Sequence, residues 1–183
     1  IKDIDSISAV APLASSSATI SIGERTYDGI NLVATTTDLP SIVNMPLKNG
    51  QFLDNKLREN VAVLGCSLAD TIFGGTEAIA KTFYYNGQQF IVVGVLDKID
   101  DPINYNNIDF DNAIMININY ASTFESSIQI QQIDARTSTT DALDQTVEQI
   151  RSKLAESKKS ENSFQIISGT DTPHPAGSLL SIV

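Results

Sequence analysis

The chain contains 183 residues, and its 22 acidic and 12 basic side chains give a formal net charge of −10 at pH 7. This length accommodates one domain or two small lobes, and the negative charge disfavours binding to nucleic acid or directly to a membrane surface. The single cysteine excludes an internal disulfide, and one cysteine with one histidine is too few ligands for a zinc site.

The sequence contains no candidate membrane span. Its apolar runs fall well short of the roughly 20 residues that a bilayer crossing needs, and no basic region followed by an apolar one opens the chain. The chain starts at Ile1 rather than at methionine and closes on a largely apolar stretch, residues 177–183. We therefore expect both ends to be cut from a longer protein.

The first third of the chain is predicted to contain a helix, a hairpin and a second helix. Apolar residues at positions 1, 4, 7 and 10 have helical spacing, which favours a short helix over residues 1–10. Residues 11–36 are rich in β-forming side chains around a glycine turn and predict a hairpin. A threonine cap and an early proline favour a short helix over residues 37–43, and residues 44–60 are predicted as loop.

The stretch over residues 61–96 has the clearest local signals. An apolar run at its start is typical of a buried strand, and Gly65 ends it. One-sided apolar spacing over residues 67–73, followed by two glycines, predicts a short helix. Asn86-Gly87 then separates two β-rich runs, and this dipeptide is the strongest short signal for a type I′ hairpin. The sequence therefore predicts a strand, a helix and a hairpin in succession.

Two strands and the best helix of the chain are predicted beyond residue 96. Residues 97–112 are acidic and amide-rich without a period, which indicates an exposed loop. Alternating apolar residues predict strands over residues 113–119 and 128–136. A capping box at Ser138 and apolar residues at helical spacing predict a helix over residues 141–157.

The last part of the chain is predicted to be a strand and a linker. Residues 164–167 are apolar enough for a final strand, and residues 169–177 contain two prolines and two glycines, which is typical of a linker.

The order of these elements resembles a known family. A strand ending in Leu64-Gly65, a short helix ending in Phe73-Gly74 and an Asn-Gly hairpin resemble the periplasmic core domain of MacB-like ABC transporter permeases. This group also includes FtsX-like and lipoprotein-releasing permeases. Upstream, Gly50-Gln51-Phe52 is similar to the family's glycine-to-phenylalanine step before the strand, so the resemblance covers residues 50–96.

This sequence departs from the family's pattern at a few positions. Ala78 and Ala80 stand where the family often has proline and glycine, and Cys66 stands where a small polar residue is expected. None of these positions is chemically reactive in the family, so the departures leave the implied function unchanged.

The resemblance implies an α+β fold with two lobes. Residues 1–49 and 128–170 would form a discontinuous porter-like α/β lobe, and residues 50–127 would form a β-rich lobe inserted into it. Residues 171–183 would be a linker toward a transmembrane helix that follows the chain, and another such helix would precede Ile1.

Cys66 is the one candidate nucleophile that the sequence offers. It precedes a predicted helix, and a helix N-terminus can lower the pKa of a thiol. The only histidine, His174, lies in a proline-flanked linker where it is poorly placed to act as a base. We therefore favour a structural role for Cys66 and expect no catalytic residue.

An acidic loop is the one candidate ion site. Asp97, Asp100, Asp101, Asp109 and Asp111 crowd the predicted loop, and such oxygen-rich loops can hold calcium. The spacing is not that of an EF-hand, so we expect a solvated loop and no metal or cofactor. Since the chain has no GxxxxGK[ST] motif, it cannot cradle ATP in a P-loop.

The resemblance implies an extracytoplasmic domain, non-catalytic in itself, of a permease that uses ATP-driven closure to export or move a drug, peptide or lipoprotein. Implied partners are a second permease copy, an ABC ATPase and an adaptor protein, and the isolated domain is expected to be a monomer. The residues leave two alternatives open: a stand-alone extracellular binding or adhesive module, and an acidic cytoplasmic enzyme.

Overall fold

The computed structural model describes residues 1–43, 45–54, 60–98, 108–126, 128–156, 165–168 and 179–183. Within these ranges it contains ten strands and four α-helices. The strands are β1 (Ile7–Ile22), β2 (Arg25–Thr35), β3 (Leu47–Gly50), β4 (Val61–Leu64), β5 (Thr82–Tyr85), β6 (Gln88–Leu96), β7 (Ala113–Asn117), β8 (Gln132–Thr137), β9 (Ile166–Ser168) and β10 (Leu179–Ile182). The α-helices are α1 (Leu39–Ile42), α2 (Cys66–Phe73), α3 (Ile118–Ala121) and α4 (Leu143–Glu156). Short 3₁₀ turns cover Gly75–Ala78, Phe110–Asn112 and Thr140–Ala142.

Six strands pair in a closed circuit, which we call the ring. In this circuit β1 pairs with β2, β2 with β7, β7 with β4, β4 with β6, β6 with β5, and β5 again with β1. Strand β3 pairs with the last residues of β6, Gly94 to Leu96, beyond the part of β6 that pairs with β5. Because side chains alternate along each strand, Ile20, Leu64 and Ile116 join one apolar cluster while Val33, Val63 and Met115 join another.

The N-terminal half of β1 belongs to a second group of strands, the end sheet. Here β1 pairs with β8, β8 with β10, and β10 with β9, all antiparallel. Helix α4 covers one face, where its buried Leu143 and Ile150 pack with Val10, Ala135 and Leu180. The apolar spacing along α4 points these side chains to one stripe of the helix, which explains why it lies on the sheet.

β1 therefore runs through both groups of strands. It has 16 residues, with Ile7 to Leu13 in the end sheet and Ala14 to Ile22 in the ring. Pro12 is tolerated in the strand because its missing N–H lies on the β2 side, where the β1–β2 pairing starts only at Ala14.

Two close backbone approaches depend on glycine. A Cβ at Gly65 would lie 2.1 Å from the Phe110 carbonyl oxygen, so only glycine lets α2 start against this turn. Gly50 has φ +77° and pairs with Gly94 of β6, and a Cβ at Gly50 would lie 2.1 Å from the Val93 oxygen. Gly50, the glycine of the Gly50-Gln51-Phe52 step, therefore allows β3 to pair closely with β6.

Several predicted elements are confirmed. The Val61–Leu64 strand, the helix that ends before Gly74 and the hairpin over Asn86 and Gly87 lie where the sequence placed them. Asn86 and Gly87 both have positive φ, at 46° and 74°, as a type I′ turn requires. The fold as a whole is α+β, as predicted.

The predicted helix over residues 1–10 is wrong from Ile7 onward, where β1 begins. Ile4 and Val10 pack against α4 as their spacing requires, but the backbone from Ile7 pairs with β8 instead of forming helical bonds. The pairing of residues 7–10 with β8, which lies 125 or more positions along the chain, overrides the helix that the local apolar spacing favours. The predicted capping box is also absent, since Thr139 caps its turn without a side-chain bond.

Three predicted irregular or strand segments also need correction. Residues 47–50, expected as loop, form β3, and the strand expected from residue 128 begins only at Gln132. In the predicted exposed loop 97–112, Ile108 and Phe110 are buried against the ring. Their apolar side chains anchor this end of the loop, and residues 99–107 lie outside the described part.

The end of the predicted linker 171–183 is a strand. Leu179–Ile182 forms β10 between β8 and β9, because its apolar residues Leu180 and Ile182 fill the space under α4. The strand pairings also cross the predicted lobe boundary, since β2 pairs with β7 and β1 with β5. The division of the chain into a porter-like lobe and an inserted lobe stays a prediction.

Candidate functional site

Cys66, the candidate nucleophile, lies in the first turn of α2. Its Sγ is 3.9 Å from the Ser67 Oγ, and the side chain is only partly exposed. Burial raises the pKa of the Cys66 thiol, and the nearby Asp111 carboxylate raises it further. A thiol in these surroundings stays protonated near neutral pH, so the geometry favours a structural role.

In the acidic loop that was the candidate ion site, the described residues Asp97 and Asp109 accept hydrogen bonds from neighbouring residues. Asp109 caps the 3₁₀ turn over Phe110–Asn112 by accepting a 3.3 Å bond from the Asn112 backbone N–H, and it also accepts a 2.7 Å bond from the Asn112 Nδ2. Asp97 accepts from the Lys98 amide. Asp100, Asp101 and His174 lie outside the described residues. In the part of the chain that the structure describes, no three His, Cys, Asp or Glu side chains are grouped to hold a metal ion.

A seam lies in the wall of the ring, between the point where β1 leaves β8 and the point where it meets β5. We define the seam as residues 15–19 of β1. At one end the Gln131 side chain bonds both backbone groups of Ser15: its Oε1 accepts from the Ser15 N–H at 2.6 Å, and its Nε2 donates to the Ser15 oxygen at 2.9 Å. At the other end Ser21 pairs with Tyr84 of β5. Sequence patterns could not reveal this site, because its parts come from distant segments.

A cavity of about 220 Å³ opens beside the seam. Ser15, Ser16 and Glu125 contribute to its lining. The Tyr85 hydroxyl donates a 2.6 Å bond to the Glu125 Oε2, and burial together with this carboxylate raises the pKa of Tyr85, so the hydroxyl stays protonated. The segment that carries Glu125 is held by Phe124, which packs edge-on against Tyr85 at 6.0 Å between ring centroids.

A second, shallower groove of about 650 Å³ separates the N-terminal segment from α4. Asp3, Asp5, Glu148 and Lys153 lie along it, and the Lys153 Nζ is 3.8 Å from the Asp3 carboxylate. These charges are exposed and therefore contribute little to stability. The groove is wide and open, which suits contact with a protein surface better than enclosure of a small molecule.

The described helices include none with the length and apolar character that a membrane crossing needs. The structure defines an α+β domain with a cavity beside the seam and a groove along α4.

The chain belongs to the family of MacB-like periplasmic core domains, since the profile of that family matches residues 1–153. This confirms the resemblance and makes the chain an extracytoplasmic domain of an ABC transporter permease of the MacB-like class. No curated protein matches the chain in sequence.

Solved structures with similar folds include transporter domains from three sources. The periplasmic region of MacB from Actinobacillus actinomycetemcomitans is 19% identical with a TM-score of 0.70, covering 98% of this chain and 73% of that one. The extracellular domain of the noncanonic ABC-type transporter YknZ from Gram-positive bacteria is 19% identical with a TM-score of 0.63, covering 79% and 73%. A domain of a putative permease from Porphyromonas gingivalis is 10% identical with a TM-score of 0.59, covering 100% and 74%. At these identities the likeness shows a shared fold.

Proposed function

We propose that this domain relays ATP-driven closure of a MacB-like permease to the outer side of the membrane, and thereby exports or moves a drug, a peptide or a lipoprotein. In this proposal the domain performs no chemistry, and ATP is hydrolysed by an ABC ATPase in another domain or chain. The whole permease is a cell membrane protein that works with a second copy of itself and with an adaptor protein. The domain alone is a monomer, since copies with a charge of −10 repel each other.

The observation that supports a relay is the continuity of β1. A strand of 16 residues spans about 50 Å at the usual rise per residue. β8 holds its first half through six paired residues and β2 holds its second half through eight. In this proposal a displacement of the end sheet along β1 moves the ring as well, because the covalent backbone of a strand is already close to full extension and can lengthen very little.

The proposed relay is consistent with a site whose described residues include no activated side chain. Allosteric work of this kind needs two arrangements of packed bodies and a difference in ligand affinity between them, and it needs no reactive side chain. The Cys66 thiol is not activated, Asp109 caps a turn, and the acidic side chains along the second groove lie at the surface.

The location is tested on the full-length permease in intact cells. Cys66 is replaced by serine and a single cysteine is introduced as Glu24→Cys, at the exposed turn between β1 and β2. A membrane-impermeant maleimide should label this cysteine before lysis, in a protein that fractionates with membranes. Labelling that requires lysis would contradict the proposed location.

The movement is tested with the same variant, assembled with its ATPase in lipid nanodiscs. Spin labels at residue 24 report the distance between the two permease copies by pulsed electron paramagnetic resonance. We expect the distance distribution to change when ATP is trapped in the ATPase, and to stay unchanged when the ATPase carries a substitution that prevents ATP binding. An identical distribution in all states would contradict the relay.

A further inference from the structure

The seam leaves part of the β1 edge without a backbone partner. Strand residues alternate in the direction of their N–H and C=O groups. The Gln131 amide on Ser15 shows that the Ser15 groups point away from β2, on the same side as Leu13, whose oxygen accepts from the Gln131 N–H at 3.0 Å. By the same alternation, the N–H and C=O of Ser17 point to this side.

Nothing in the described structure meets these Ser17 groups. Along this side of β1, Leu13 bonds the β8 end, Ser15 bonds the Gln131 side chain, and Ser21 pairs with Tyr84 of β5. Among the described residues, the Ser17 N–H and C=O have no hydrogen-bond partner, since Ser16 and Ala18 make the bonds to β2. Both Ser16 and Ser17 are exposed. Ile20 already pairs with Tyr85 of β5, so the seam from Ser15 to Thr19 is about 13 Å long at the usual strand rise, enough for about four residues of an extended chain.

The surroundings of this edge are acidic. Glu125 lines the cavity next to Ser16, and the Asp28 Oδ1 accepts a 2.7 Å hydrogen bond from the Thr19 hydroxyl at the other end of the seam. The two carboxylates thus flank Ser17. Neither forms a described ion pair with a lysine or arginine of this chain.

We propose that the seam binds a short extended segment of a partner protein by strand addition, with a lysine or arginine side chain directed toward Glu125. The Ser17 N–H and C=O supply the backbone hydrogen bonds, the serine side chains leave room for close approach, and the cavity receives one side chain. This surface is separate from the relay, so its occupancy does not depend on whether the relay operates.

The acidic charge around the seam favours a cationic partner segment over a second copy of the chain. A second copy of the chain would bring its own Glu125 and Asp28 against the same acidic edge, on a molecule with a net charge of −10. Like charges opposed across a strand pair are destabilising. A cationic segment removes this repulsion and is attracted over longer range.

The test uses a capped heptapeptide of alternating threonine and lysine as the probe, followed by NMR of the 183-residue chain. A peptide with glutamate in place of every lysine is the charge control, and a lysine peptide with N-methylated threonines is the backbone control. We expect the lysine peptide to slow exchange of the Ser17 amide hydrogen by about tenfold, and both control peptides to leave it unchanged.

Two substitutions at one position separate backbone recognition from side-chain contact. Ser17→Pro removes the outward N–H but leaves the β1–β2 ladder intact, because Ser16 and Ala18 make the bonds to β2. We expect this variant to bind the lysine peptide about tenfold more weakly, Ser17→Ala to bind as the wild type does, and Glu125→Gln to bind about threefold more weakly.

Three results would overturn the proposal. Equal binding by Ser17→Pro and Ser17→Ala would show that the backbone is not recognised. Equal binding of the lysine and glutamate peptides would exclude the acidic recognition. A Ser17 amide that is protected without peptide, in proportion to protein concentration, would assign the edge to a second copy of the chain.

Discussion

Asp134 is the charged side chain of the described core, with 5% of its surface exposed. It lies on β8, where it accepts hydrogen bonds from the Gln132 Nε2 at 2.6 Å and from the Ser181 Oγ at 2.8 Å. Burial raises the pKa of this carboxyl, and the two hydrogen bonds oppose that shift only in part. The Gln132 Oε1 beside it has no partner among the described groups. The cluster is therefore better suited to a neutral group at position 134 than to a carboxylate.

The raised pKa of Asp134 predicts that the difference in stability between Asp134→Asn and the wild type depends on pH. Because the folded-state pKa is raised, the folded chain holds its proton more tightly than the unfolded chain, and the contribution of Asp134 to stability falls as pH rises above the unfolded value of 3.8. The asparagine variant should thus be more stable than the wild type by about 1 kcal/mol at pH 7, with the advantage shrinking toward pH 4.

Urea unfolding at pH 7 and pH 4 measures this difference. Asp144→Asn on the exposed side of α4 is the matched control, and we expect it to show no such trend. A variant Asp134→Asn that is less stable than the wild type at pH 7, with the deficit shrinking toward pH 4, would show that the folded state favours the ionised carboxylate.

Gly65 allows a second prediction at the residue scale. Its φ is −66°, which any residue can adopt, so Gly65→Ala tests only the close contact with the backbone of Phe110 and Asp111. We expect a loss of about 2 kcal/mol or more, because the clash is with backbone. Gly74→Ala is the control: its Cβ would meet nothing within 4 Å, and its positive φ should cost about 1 kcal/mol. Thermal unfolding that ranks Gly74→Ala as the more damaging change would contradict this contact.

The main structural element is β1, and its transition from one group of strands to the other depends on a side chain. Gln131 imitates a strand neighbour by bonding the Ser15 N–H and C=O. Gln131→Ala should therefore speed hydrogen exchange of the Ser15 amide by about tenfold without unfolding the domain. Gln129→Ala, two residues away and equally exposed, should leave that amide unchanged. Unaltered exchange in Gln131→Ala would mean that the glutamine does not hold the edge.

The elements that sequence patterns predicted are the ones defined by near neighbours. The Asn86-Gly87 turn and the end of α2 at Gly74 each depend on backbone angles that few residues adopt, so a short pattern identifies them. The first half of β1 could not be predicted in this way, since Ile4, Ile7 and Val10 fit a helix as well as they fit the surface under α4. Its strand pairing depends on β8, more than 120 residues later.

The candidate site, like the first half of β1, could not be predicted from local sequence patterns. Cys66 and the acidic residues attract attention as residue types, yet their reactivity depends on burial and neighbours that a sequence does not display. The seam has no motif at all, because Ser17 becomes an open edge only through the end of β8, the position of β5 and the side chain of Gln131.

At the scale of the whole molecule, β1 joins the end sheet under α4 to the ring. The family defines the chain as an extracytoplasmic domain of a MacB-like permease, and the relay proposal adds that the two groups of strands move together. Motion of a packed domain as one body is the usual consequence of a continuous hydrogen-bonded connection, whereas independent motion needs a hinge.

The most direct test compares two label positions in the full permease with its ATPase. Spin labels are placed in separate variants, at Glu24→Cys on the ring and at Gln149→Cys on the exposed face of α4, both with Cys66→Ser. The distance between the two copies is then measured with and without trapped ATP. The relay predicts that the distances at both positions change with nucleotide. A change at residue 149 with none at residue 24 would show that movement stops at the end sheet, and would contradict the proposed role of β1.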